Sequence, residues 1–140
     1  MQPTKIDLLI NSRWIIPIIP EDRIYENCAL AVDNQKIVGI YPQAEALNKF
    51  SAVSVVDLDN HILMPGLINA HGHAAMSLLR GYADDQPLQP WLEEHIWPVE
   101  NRFLSEKFVA DGTRLAMAEM IKTGTTCFAD MYFFAASTAE

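Results

Sequence analysis

The sequence predicts an α/β chain with two textures that meet near His61. Three observations lead there. Before His61, strand-length apolar runs alternate with turn residues; after it, one apolar strand, several helices and a second short strand follow in order; and a glycine-separated histidine pair sits where the first of those later strands ends. The length of 140 residues allows a real core. It excludes a complete eight-stranded parallel barrel, which needs about 250 residues.

The early runs are Ile6 to Ile10, Trp14 to Ile19, Cys28 to Val32, Ile37 to Tyr41 and Val53 to Leu58. Asp33-Asn34-Gln35-Lys36 is turn chemistry, because Asx side chains bond their own backbone and Asn tolerates positive φ, so a hairpin is expected at Asn34. Pro17 and Pro20 cannot donate to a ladder, which makes the second run an edge strand or only partly a strand. Gln43 to Lys49 has room for one helical turn or two. Beyond His61, an apolar stretch runs through Pro65 and Gly66 into Ala70-His71-Gly72-His73. Ala74 to Arg80 reads as a short helix stopped by Gly81. Trp91 to Phe103 reads as a helix that Pro98 kinks or splits. The clearest helix covers Ser105 to Lys122, with Ser105 as its cap and Gly124 beyond its end. Its expected apolar stripe is Phe108, Val109, Gly112, Leu115, Ala116 and Met120, with Glu119 either emerging into solvent or held in a buried ion pair with Arg80. Thr125 to Met131 is expected to be a second strand, parallel to the first, with Cys127 as a small buried hydrophobe and Asp130 at its end, a position from which it can face the site.

Composition narrows the function. Eighteen acidic against ten basic residues leave a net charge of −8, which disfavours nucleic acid and anionic membrane as partners. Two distant cysteines make no disulfide framework. The start Met1-Gln2-Pro3-Thr4-Lys5 has no signal-peptide pattern, and no run approaches the ~20 apolar residues of a membrane span. A soluble cytoplasmic protein is the expectation. No P-loop, GxGxxG, CxxC or GxSxG motif occurs.

The chemistry centres on His71-Gly72-His73. Residues two apart in a strand face the same way, so the two imidazoles converge, and imidazole nitrogens ligate zinc and related divalent ions. Parallel α/β folds carry their sites at that end of the strand. Asp84 and Asp85 read as a solvated loop, and His61 and His95 as structural or exposed.

The run Met64-Pro65-Gly66-Leu67-Ile68-Asn69-Ala70-His71-Gly72-His73 resembles the first-strand signature of the amidohydrolase superfamily. Leu79-Arg80-Gly81, Ala83-Asp84-Asp85, Leu88, Trp91-Leu92, Ile96-Trp97-Pro98, Glu100, Ala118-Glu119-Met120 and Gly124-Thr125-Thr126 extend the likeness. They follow the branch of methylthioadenosine/S-adenosylhomocysteine deaminases and related chlorohydrolases. The middle residue of HxH, often Thr in the family, is Gly72 here. The resemblance implies that residues 1–61 are part of a composite β-sandwich and that 62–140 begin a metal-dependent (β/α)8 TIM barrel. It also implies that His71 and His73 are metal ligands for one divalent ion, zinc or else iron. Trp91 then resembles the tryptophan that packs on a nucleoside, and Glu100 the glutamate that accepts from ribose hydroxyls. From helix spacing alone, Glu100 would be a solvated face residue.

What the resemblance implies is hydrolytic deamination of an adenine nucleoside. The other readings are a triazine chlorohydrolase, a guanine or cytosine deaminase, or a non-catalytic binding module. The acid–base groups and remaining ligands are expected beyond Glu140, so that no catalytic residue lies within 1–140 and the chain alone is inactive. A homo-oligomer is expected, its interface unspecified.

Overall fold

A computed structural model describes residues 2–139. These residues form two compact units that divide between Pro65 and Gly66.

The first unit is a four-stranded sheet in the order β3-β2-β1-β4, built from β1 (Thr4–Ile15), β2 (Tyr25–Asp33), β3 (Lys36–Pro42) and β4 (Phe50–Leu63), with α1 (Gln43–Lys49) between the last two. The first two apolar runs fuse into β1, and the strand stops at Ile15, before Pro17. The fusion is interrupted only by a register irregularity between Ser12 and Trp14. Asn34 and Gln35 both take positive φ (48° and 62°), the pattern of the two-residue turn whose twist suits a hairpin. The Asn34 backbone N–H donates to Asp7 Oδ2 at 2.8 Å, which ties the hairpin tip to β1. β1 and β4 pair in parallel, so the chain crosses over β2, β3 and α1 between them. Ile6, Leu9, Ala29, Ala31, Ala46 and Phe50 form the core under α1. Elsewhere Ile19 and Ile37 stay exposed and border an apolar hollow of about 420 Å³ with Ile15, Tyr25 and Leu63.

The second unit pairs β5 (Leu67–Gly72) in parallel with β6 (Thr125–Asp130). A 3-10 helix (Ala74–Leu79) follows β5, and Gly81 lies beyond it at φ +76°. Helical structure then runs from Leu88 to Phe103: α2 (Leu88–Pro90), a π-helical stretch (Trp91–Ile96) and α3 (Trp97–Phe103). Pro98, lacking an N–H, occupies the first turn of α3, where no donor is required, and the widened turns before it absorb its ring. The helix therefore runs on through Pro98, wide before it and regular after it.

α4 (Glu106–Lys122) starts where expected: Phe108 N–H donates to Ser105 Oγ at 3.1 Å. It ends before Gly124 at φ +82°. Its buried line is Val109, Gly112, Thr113 and Ala116. Leu115 is a correction to the expected stripe, because it is exposed while Thr113 takes the inward place. The facing element is a thin 3-10 turn, and it covers only a narrow strip around Gly112. Cys127 is a second correction. It is exposed, since β6 has a neighbour on one side only among the described residues. Among those residues no helix is long and apolar enough to cross a membrane.

Candidate active site

His71 lies in β5 and His73 one residue past its end, at φ −127° and ψ 74°, leading into the 3-10 helix. Both side chains are exposed, and their rings stand nearly perpendicular with centres 5.3 Å apart. The His71 backbone N–H donates to Asn69 Oδ1 at 3.2 Å.

The end of β6 holds this turn. Met131 N–H donates to the Gly72 carbonyl at 2.9 Å. His73 Nδ1 lies 2.7 Å from the Met131 carbonyl oxygen. A carbonyl can only accept, so Nδ1 carries the proton and donates. In the neutral ring Nε2 is then left with a free lone pair. Ala74 N–H donates to Asp130 Oδ1 at 2.7 Å, and Thr138 Oγ1 donates to Asp130 Oδ2 at 3.2 Å.

These features fit a metal. Two imidazoles sharing one tetrahedral zinc, with Zn–N near 2.0 Å, have ring centres about 5 Å apart. A histidine that donates its second nitrogen to a backbone carbonyl is the common arrangement of a ligating histidine, because that bond fixes tautomer and aim. The fit is partial in number. Among the described residues no group of three or more His, Cys, Asp or Glu gathers at ligand spacing. The pair offers two of the four positions zinc takes in a structural or catalytic site.

Glu100 departs from the spacing-based expectation of a solvated helix face. It is only 8% exposed. Tyr132 O–H donates to Glu100 Oε1 at 2.5 Å, and the Tyr132 ring centre lies 6.1 Å from that of His73. Burial, with the Glu100 carboxylate alongside, pushes the Tyr132 phenol well above its ordinary range, so it stays a donor. Tyr132 thus links the glutamate to the histidine turn, and it had no motif signal. Trp91 opens the π-helical stretch, half-buried, outside this chain of bonds. His95 packs edge-on against Tyr82, and Asp84 and Asp85 are exposed. Arg80 and Glu119 do pair, with two bonds of 2.8 and 2.6 Å, but in solvent rather than buried. That bond holds the Glu119 carboxyl below the usual carboxylate range.

Comparison with known proteins shows the family and the fold. Residues 62–140 match the model of the amidohydrolase family. A 5-methylthioadenosine/S-adenosylhomocysteine deaminase from Saccharophagus degradans is 53% identical over 136 residues, which is 97% of this chain and 30% of that protein. A 5'-deoxyadenosine deaminase from Methanococcoides burtonii is 44% identical over 128 residues, 91% of this chain and 28% of its own length. The crystal structure of an adenosine deaminase from Xanthomonas campestris, with bound zinc, superposes with a TM-score of 0.93 at 48% identity, covering 99% of this chain and 31% of that one. The chain therefore spans about three-tenths of the length of the relatives it matches, with the mixed α/β fold of their N-terminal part. With its histidine turn at the end of β5 and its match over residues 62–140, the chain belongs to the amidohydrolase family.

Proposed function

We propose that this chain is the N-terminal part of a zinc-dependent hydrolase that deaminates adenine nucleosides, with 5'-methylthioadenosine and S-adenosylhomocysteine as the preferred class. In this reading residues 1–61 belong to a composite β-sandwich and 62–140 open the barrel domain. The observation that carries it is His73 locked by the Met131 carbonyl with Nε2 bare, 5.3 Å between ring centres from His71. The names of the similar proteins support the nucleoside class.

His71 and His73 would hold the metal. Such an ion supplies a hydroxide at neutral pH by lowering the pKa of its water from 15.7 to about 7. The residues of this chain bind and orient. Trp91 offers a rigid apolar wall to a purine ring. Glu100, with one oxygen occupied by Tyr132, keeps acceptor capacity for ribose hydroxyls, and its low exposure strengthens each such bond. Proton transfer and the remaining ligands fall to residues outside this chain, and the homo-oligomeric, cytoplasmic enzyme expected from sequence is part of the same proposal.

The test is ammonia release by the purified full-length protein from methylthioadenosine, S-adenosylhomocysteine, 5'-deoxyadenosine, guanine and a chlorotriazine. Turnover of the adenine nucleosides is expected. Glu100→Gln should raise KM for them and narrow their advantage over 2',3'-dideoxyadenosine. Reaction with guanine or the triazine and none with any adenine nucleoside would overturn the proposal.

A further inference from the structure

The residues around His73 are stapled to the end of β6 by three successive hydrogen bonds. Gly72 accepts from Met131 N–H, the His73 ring donates to the Met131 carbonyl, and Ala74 N–H donates to Asp130. Two of these use only the backbone of Met131. The third is the only one made by a side chain of β6, so it is the one that the sequence can change. Asp130 is half-buried, and its second oxygen is held by Thr138, which keeps the carboxylate from turning away.

The geometry points to Asp130 as a positioning residue for His73: its carboxylate pins the Ala74 amide, and so sets the backbone from which the His73 ring reaches the Met131 carbonyl. This inference rests on the metal-binding reading of the histidine pair, yet its core is a statement about His73 that needs no metal. Register supports it. Gly72 stands opposite Asp130 in the β5–β6 ladder, with an irregularity between Asn69 and Gly72. The regular ladder stops there, so His73 and Ala74 lie beyond its constraint. Charge supports it as well, since a carboxylate accepting an amide N–H makes a shorter and stronger bond than a neutral acceptor. A ligand's outer partners typically contribute 10–100-fold in metal affinity.

The experiment uses the full-length protein, freed of metal and then titrated with zinc against a chelator. Asp130→Ala should accelerate exchange of the Ala74 amide at least tenfold, mix the His73 tautomers in ¹⁵N spectra, and weaken zinc about 10–100-fold. Asp130→Asn keeps an oxygen acceptor and should stay within a few-fold of wild type in all three. A merely structural role would lower the unfolding midpoint and leave the tautomer alone. Unchanged tautomer and zinc affinity in folded Asp130→Ala would overturn the inference. So would a fast-exchanging Ala74 amide or an Nε2–H tautomer in the unaltered metal-free protein, a measurement that needs no variant to fold. Failure of the unaltered protein to bind zinc would instead sink the functional proposal, and the metal-free exchange and tautomer readings would still decide the role of Asp130.

Discussion

Gly112→Ala probes how the histidine turn is supported from behind. A Cβ at Gly112 would stand 2.6 Å from the Ala75 carbonyl oxygen and 2.8 Å from Ala75 Cα. Both are backbone atoms of a fully buried residue in the 3-10 helix, so no side chain can swing aside. Restoring an ordinary separation of about 3.5 Å means that α4 and the 3-10 helix part by roughly 1 Å. Such overpacking costs about 1–3 kcal/mol. Alanine in mid-helix recovers about 1 kcal/mol over glycine, leaving a net loss of about 0–2 kcal/mol, and a clash of Cβ against backbone that no side chain can relieve puts it toward the upper end. The 3-10 helix begins directly after His73, so the displacement also reaches the histidine pair. Gly124→Ala is the comparison: its φ of +82° makes alanine strained there, yet no atom lies within 4 Å of the added Cβ. Urea unfolding and zinc titration of the full-length protein separate the two. Gly112→Ala should lower the midpoint at constant slope and weaken zinc, whereas Gly124→Ala should lower the midpoint alone. If Gly112→Ala were as stable as wild type, the close approach of Ala75 would not be a constraint and the reasoning would fail.

Three further outcomes follow from the same geometry. Tyr132→Phe leaves Glu100 buried without its donor, at a cost of about 1–3 kcal/mol, and should raise KM for nucleosides more than it lowers kcat; steady-state kinetics with an unchanged KM would contradict the Glu100 role. Ser105→Ala removes the acceptor for Phe108 N–H and should lower stability by about 1 kcal/mol, read by denaturant unfolding with zinc affinity unaffected. Arg80 lowers the folded-state pKa of Glu119, chiefly through their hydrogen bonds. The contribution is therefore present above the unfolded carboxylate pKa of about 4.3 and lost as pH falls through the lower folded value. Glu119→Gln should flatten the acid limb of the stability curve below that range, and a curve parallel to wild type would dismiss the pair.

What could be read from sequence was what local rules govern. The hairpin at Asn34, the cap at Ser105 and the stop at Gly124 are each decided by one side chain and its nearest backbone. Periodicity located α4 but misjudged Leu115, because a stripe of apolar residues says nothing about how wide the facing element is. Cys127 failed for a related reason, since β-propensity cannot show how many neighbours a strand has. Glu100 was misjudged by spacing because its partner, Tyr132, is 32 positions away on the far side of α4 and β6. Only the resemblance to a family placed Glu100 in the site, and nothing marked Tyr132.

The histidine pair shows where the boundary between local and distant information falls. Strand alternation predicts convergence of residues two apart, and the rings do come together, but the pleat is not what aims His73. That residue lies past the end of β5, at a ψ of 74° that the ladder does not impose. Its ring is turned by the Met131 carbonyl, and the N–H of the next residue, Ala74, is held by Asp130, in both cases from nearly 60 positions downstream. The motif therefore specifies which atoms can ligate, while the end of β6 and Met131 just beyond it specify where His73 points. A β6 that pairs with β5 but lacks an acceptor at position 130 should keep the His-Gly-His sequence and lose much of its grip on a metal.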